Sequence, residues 1–155
     1  ACMMDDLLKN HRDDILPEII KNIEVGYNVT SKEIIYAEQI RKKLLASIDI
    51  FFKDHDFLIC PSSSIEPFDA DKPFVTEIDG KKCKSYIDWF AITFALTMTA
   101  CPVISLPCGF TKSGLPVGIQ IMGKPRKENE LLSFAYFLEK KLQVKDKVPL
   151  DLTKK

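Results

Sequence analysis

The sequence predicts an α/β layered fold that is one portion of a wider sheet. Apolar residues switch between helical and strand periodicity along the chain. Two strands, Val103-Ile-Ser-Leu106 and Val117-Gly-Ile-Gln-Ile-Met122, are apolar on both faces, as in a sheet covered on each side. With Phe57-Leu-Ile-Cys60 they are the strands that can be read, too few to close a domain without bare edges and apolar faces.

Residues 5–24 carry Leu7, Leu8, Ile15, Ile19, Ile20 and Ile23 at helical spacing, with Pro17 as a kink or restart. Gly26-Tyr-Asn28 then breaks the helix. Thr30-Ser-Lys-Glu33 is a capping box, in which hydroxyl and carboxylate satisfy free backbone donors. The helix behind it should run to about Lys53, with Ile40, Leu44, Ile48 and Phe51 on one face. Phe57–Cys60, closed by Pro61, reads as a buried strand end. Residues 62–84 are rich in Ser, Pro, Asp and Lys and read as a long loop, with a small hairpin around Asp79-Gly80. Tyr86–Thr99 is apolar nearly all round, which predicts a helix buried in a larger body and ended by Pro102. The two apolar strands that follow form a hairpin through Gly109 and Gly114. Glu128–Leu142 is an amphipathic helix with Leu131, Ala135, Leu138 and Leu142 on its buried stripe, and the polar tail 145–155 is expected to fray.

The 155 residues are 46% hydrophobic and 28% charged, which is globular rather than disordered. Lysine plus arginine and aspartate plus glutamate both number 22, so no net field draws the chain to nucleic acid or to an anionic membrane. The most apolar segment, 87–101, is shorter than the roughly 20 residues of a membrane span and contains Asp88. Asp5 and Asp6 interrupt the first apolar stretch, so no secretory leader is expected there. Ala1-Cys-Met-Met4 lacks a leading methionine, as in a processed chain or a piece of something longer. Five cysteines without CxxC spacing point to reduced thiols and a cytoplasmic setting rather than a disulfide framework.

Three constellations are candidates for chemistry. Ser62-Ser63-Ser64 follows a strand, but it lacks a Gly-x-Ser-x-Gly elbow and a His or Lys spaced as a base, so it reads as a turn capping the strand. His11 and His55 are the only histidines, and Cys101 and Cys108 flank a strand and could face one cavity. Nothing there sets metal-ligand spacing, and buried structural thiols are the simpler reading. Asp88 is one acid in an apolar helix, either a first-turn carboxylate favoured by the helix dipole or a polar group lining a pocket. The residues alone show no complete catalytic machine.

The run Cys101-Pro-Val-Ile-Ser-Leu-Pro-Cys-Gly-Phe110, then Gly114-Leu-Pro-Val-Gly-Ile-Gln-Ile-Met-Gly123, then Glu128 with Leu131-Leu132, resembles the C-terminal block of the amidase-signature family. Arg41, Asp56-Phe-Leu-Ile-Cys-Pro61 and Ser85-Tyr-Ile-Asp-Trp-Phe90 fall in that family's order and spacing, so the resemblance covers about residues 12–140. It implies a mixed β-sheet covered by helices on both faces, seen here incomplete as a domain: residues 1–155 are the C-terminal portion of a single amidase domain. It implies amide hydrolysis without metal or organic cofactor, by a serine activated through a second serine and a lysine, with backbone amides as the oxyanion hole. The serine-glycine signature and the lysine motif belong to the family's N-terminal half and are absent from this sequence, so no catalytic residue is assigned.

Substrate-pocket wall is what the resemblance does carry over. Trp89, Phe90 and Thr93, then Leu96 and Thr97, are expected to line the acyl side of the pocket. In the branch serving glutamine-dependent tRNA amidation, an acid near the position of Phe90 reads the substrate's amino group. An aromatic there, with Asp88 on another helical face, points to a less polar amide. The expected partners are a small-molecule amide and the N-terminal amidase half. Alone, the chain is expected to self-associate through exposed sheet edges or to unfold in part. The rival readings are a non-catalytic interaction module that binds a complementary chain, and a thiol or metal protein.

Overall fold

The computed structural model describes residues 4–72 and 74–144, so Cys2 and the tail expected to fray lie outside the described residues. The chain divides into two compact units, Ala1–Lys43 and Leu44–Lys155, with the boundary inside one long helix.

In the first unit, α1 (Asp5–Asn10) and a 3-10 turn (Arg12–Asp14) precede α2 (Pro17–Tyr27). Pro17 restarts the helix at its first turn, where its missing N–H costs nothing. Arg12 Nη2 bridges to Glu24 Oε1 at 2.9 Å, and the Tyr27 hydroxyl donates to Asp5. α2 ends within Gly26-Tyr-Asn28 as expected, with Tyr27 its last residue and Asn28 its C-cap. The capping box forms as expected at the head of α3 (Ser31–Asp54). The Thr30 amide donates to Glu33 Oε2 at 2.8 Å, and the Glu33 amide donates to Thr30 Oγ1 at 3.3 Å. The Thr30 amide first, then the Thr30 hydroxyl donating to Glu33 Oε2 at 2.7 Å, hold the Glu33 carboxyl below its ordinary pKa.

The second unit is built on a three-stranded antiparallel sheet of order β1-β5-β4. β1 is Phe57–Pro61, β4 is Val103–Phe110 and β5 is Pro116–Gly123; β2 (Glu77–Ile78) and β3 (Lys81–Lys82) form the small hairpin foreseen in the long loop. Asp79 and Gly80 both have positive φ, 48° and 74°, as a two-residue hairpin turn requires. Prolines within the sheet fall on edge strands (Pro61, Pro107) or at a strand's first residue (Pro116), where no ladder bond is lost.

Helices cover both faces, as the sequence predicts. On one face, the end of α3 and the segment 88–99 pack over β1 and β5: Phe52, Cys101 and Met122 form a core joined by Ile48, Phe51, Leu58 and Leu96. On the other, α5 (Glu128–Leu142) lays Leu131 and Ala135 against the sheet and stacks Phe134 on Phe57 at 4.2 Å. Leu131 Cβ would lie 3.2 Å from a Cβ at position 123, so Gly123 lets the helix come this close. Ile121 and Met122, adjacent on β5 and facing opposite sides, are both 0% exposed.

Two expectations change. The single buried helix over Tyr86–Thr99 is a 3-10 turn (Asp88–Phe90), a short α4 (Ala91–Ala95) and a second 3-10 turn (Leu96–Thr99). Side-chain hydroxyls take over the backbone carbonyls: Thr97 Oγ1 donates to the Phe94 carbonyl and Thr99 Oγ1 to that of Leu96, both at 2.6 Å. Second, full burial in the sheet is confined to the second half of β5; β4 alternates exposed and half-buried residues from Val103 to Cys108, so one of its faces is left uncovered. Apolar side chains remain uncovered on β1 and α5: Ile59 is 49%, Leu132 58%, Tyr136 61% and Phe137 53% exposed.

Met122→Ala should lower unfolding free energy by about 2–5 kcal/mol, through lost transfer energy and a residual cavity. Leu132→Ala should change it by less than about 0.5 kcal/mol. Urea unfolding of both variants checks the contrast.

Candidate functional site

Where the ends of β1 and β4 meet the start of β5, a cavity of about 670 Å³ opens. Pro61 to Phe68 form one wall, Pro116 to Ile119 with Cys108 another, and Trp89 closes it from the 88–99 segment. The lining is mostly apolar, with the serine hydroxyls and Glu66 as its polar groups.

Ser62 extends β1, its amide donating to the Gly118 carbonyl at 3.0 Å. Its hydroxyl lies where a side chain at 118 would begin: a Cβ there would sit 2.6 Å from Ser62 Oγ and 3.2 Å from the Leu106 carbonyl oxygen. Gly118 is therefore required by close approach of two strands and the serine turn. Ser63 Oγ accepts the Ile65 amide at 3.3 Å, which bends the chain into the cavity wall. Among the described residues the lining holds neither Lys nor His, and Glu66 is its one ionisable carboxylate.

The five side chains expected to form a pocket wall divide. Trp89 lines the cavity, edge-on to Phe68 at 5.6 Å and to Phe90 at 5.2 Å. Its buried Nε1 has no hydrogen-bond partner among the described residues, a cost of about 1–3 kcal/mol that an incoming acceptor would recover. Thr93 Oγ1 donates to the Ser62 carbonyl at 3.1 Å, so it ties the wall to the serine turn. Phe90 stands behind Trp89 in a train of edge-to-face rings running Tyr86, Phe90, Phe94. Leu96 packs into the Met122 core, and the exposed Thr97 bonds back to its own turn.

Asp88 is not a cavity group. Its Oδ2 accepts the amides of Lys84 (2.6 Å) and Ser85 (3.1 Å), and its Oδ1 accepts the Ser85 hydroxyl at 2.8 Å. The Ser85 hydroxyl first, then the Lys84 amide, hold the carboxyl below its ordinary pKa. Cys108 lines the cavity while Cys101 is buried in the core, so the two thiols do not share it. Burial pushes the Cys60 thiol up, with the Gln120 side chain opposing. The described residues hold no group of three side chains able to bind a metal, and no helix long and apolar enough to cross a membrane.

The residue that sequence reasoning missed is Gln120, 4% exposed at the centre of β5. Its Nε2 donates to the Pro61 carbonyl at 3.1 Å and to the Ile92 carbonyl at 3.0 Å. The signal for it in sequence is a lone amide in an otherwise apolar strand, Val117-Gly-Ile-Gln-Ile-Met122.

The sequence pattern of the Amidase family matches residues 2–132. The A subunit of glutamyl-tRNA(Gln) amidotransferase from Thermodesulfovibrio yellowstonii is 35% identical over 103 residues, covering 66% of this chain and 20% of that protein. Its counterpart from Halothermothrix orenii is 34% identical over 113 residues, covering 73% of this chain and 22% of that protein. The chain thus spans about a fifth of the length of these curated relatives. Among solved structures, a bacterial aryl acylamidase of the amidase signature enzymes superimposes with a TM-score of 0.75 at 22% identity, over 86% of this chain and 28% of that one. A crystal structure of an amidase gives 0.76 at 21% identity, over 90% and 32%. These likenesses establish the amidase-signature fold for the chain.

Gly118→Ala should destabilise by about 1–3 kcal/mol through overpacking against Ser62. Adding Ser62→Ala should recover part of that loss, so a double-mutant cycle by urea unfolding should show coupling rather than additivity. The lowered pKa of Asp88 has its own signature. Because the folded value lies below the unfolded one, its contribution is present above the ordinary aspartate range and is lost as pH falls through the folded value. Hydrogen exchange should show the Lys84 and Ser85 amides losing protection in that acid range, and in Asp88→Ala at every pH.

Proposed function

The chain belongs to the Amidase family, and on that premise we propose that residues 1–155 are the C-terminal portion of a single amidase domain. In this reading the intact enzyme hydrolyses a carboxamide: water adds to the acyl carbon and the C–N bond breaks, giving a carboxylic acid and an amine or ammonia. The observation that carries it is the apolar cavity beside Trp89, placed where edge and central strands end, in a chain of this family. Trp89 and Thr93 form the acyl-side wall and its tie to the serine turn, with Phe90 edge-on to Trp89, while Leu96 anchors the segment in the Met122 core and Thr97 bonds within its own turn. The nucleophilic serine, its serine-lysine relay and the oxyanion donors come from an N-terminal half outside this sequence, and no cofactor takes part. The uncovered Ile59, Leu132, Tyr136 and Phe137 support such a covering polypeptide, and in its absence self-association. Free thiols at Cys60, Cys83, Cys101 and Cys108 fit a cytoplasmic setting.

The bound acyl group is apolar. Phe90 stands near the position of the glutamine-reading acid, Asp88 is consumed by the 84–85 backbone, and the lining described is mostly apolar, with Glu66 its one charged group. A second reading is favoured by the curated relatives, which are components of glutamyl-tRNA(Gln) amidotransferases. It makes glutamine the amide and adds further protein partners.

The test mixes the 155-residue chain with a complementary amidase half carrying the Ser-Ser-Lys machinery and measures ammonia release. Aryl and aliphatic carboxamides should turn over in the mixture and not with this chain alone. Trp89→Ala should raise KM by at least about tenfold, the worth of a lost apolar contact. Turnover by the isolated chain would contradict the proposal, and a preference for glutamine would favour the second reading.

A further inference from the structure

We propose that Gln120 is a positioning residue: its buried amide, assisted by the Thr93 hydroxyl, locks the serine turn to the segment carrying Trp89 and so fixes the width of the cavity. The proposal rests on reading that cavity as the pocket wall.

Gln120 stands on β5, the central strand of the three-stranded sheet, whose backbone is bonded to β1 on one side and β4 on the other. It is the buried member of β5 with a side chain able to donate hydrogen bonds. Both partners are backbone carbonyls, which fixes the amide's nitrogen rather than its oxygen towards them. Those carbonyls belong to two segments far apart in sequence: Pro61 ends β1 and opens the serine wall, and Ile92 lies three residues after Trp89 in α4. A third bond closes the figure, from Thr93 Oγ1 to the Ser62 carbonyl at 3.1 Å. Two adjacent carbonyls of the wall, 61 and 62, are thus each held by a side chain, one rooted in β5 and one in α4.

The need for a clamp follows from the local structure. The 88–99 segment is broken into three short pieces, and short helical turns do not hold their own orientation. The serine wall is a loop whose nearest regular element is β1. Without Gln120, the Pro61 and Ile92 carbonyls would each lose a side-chain donor, and Thr93 to the Ser62 carbonyl would be the hydrogen bond left between the two walls. Gln120 touches no substrate in this reading; it acts through Trp89.

Trp89 is the chain's single tryptophan, so its fluorescence reads the wall directly. Gln120→Met keeps length and burial while removing the donor, and Thr93→Val removes one hydroxyl from an exposed position. With far-UV circular dichroism unchanged, each should increase acrylamide quenching of Trp89 by at least about twofold, as expected when a locked segment opens locally. Gln120→Glu adds a readout that mere packing would not move. At pH 8 its carboxylate would oppose two carbonyls and quenching should be high. Towards pH 5 the buried acid takes up a proton, can donate once more, and quenching should fall.

Unchanged quenching in Thr93→Val, together with a Gln120→Met variant that either keeps the wild-type value or unfolds, would overturn the proposal. So would a pH-independent Gln120→Glu. Failure of the pocket reading looks different: quenching responds as stated, while the reconstituted enzyme shows the same KM with or without the clamp.

Discussion

The structure of the second unit hangs on β5. It is the strand bonded on both sides, and its consecutive Ile121 and Met122 send fully buried side chains into opposite layers. Its glycines serve as points of closest approach, Gly123 for α5 and Gly118 for the serine turn. Its one buried polar side chain reaches both walls of the cavity. Eight residues therefore specify the sheet order, the helix cover and the site together.

Much of this is legible in the sequence where a single local rule decides the outcome. The Thr30–Glu33 box and the Asp79-Gly80 hairpin depend on neighbours close in sequence and form as expected, and the stripe of the last helix forms with Leu131 and Ala135 buried and Leu138 and Leu142 half-buried. The segment Tyr86–Thr99 does not form as expected, because apolar content predicts burial and is silent about backbone competition from threonine hydroxyls. Asp88 stands out in sequence as an acid among apolar residues. Its part in holding Lys84 and Ser85 depends on a loop path that periodicity cannot supply.

The candidate site is legible in part. The family resemblance points to the segment that carries Trp89, and the cavity lies against that ring. The opposite wall, Pro61 to Phe68, reads in sequence as a serine-rich turn, because its meaning depends on Gly118 lying across from Ser62. Gln120 shows in sequence only as a lone amide in an apolar strand, because strand alternation sorts residues by face and says nothing of which distant carbonyls a buried amide will meet.

The pairing pattern has a kinetic corollary. β4 and β5 are joined by a tight turn, with Thr111 and Leu115 bonded across it and Gly114 at φ 85°, so their zipping closes only a short loop. β1 must find β5 from the far side of an intervening stretch, Ser62 meeting Gly118, a search with a larger entropic barrier. The hairpin is then the early structure and the docking of β1 the late event. The concave surface beside Trp89 takes one wall from the hairpin and the other from the loop that leaves β1, so it is complete only once that late docking has joined them.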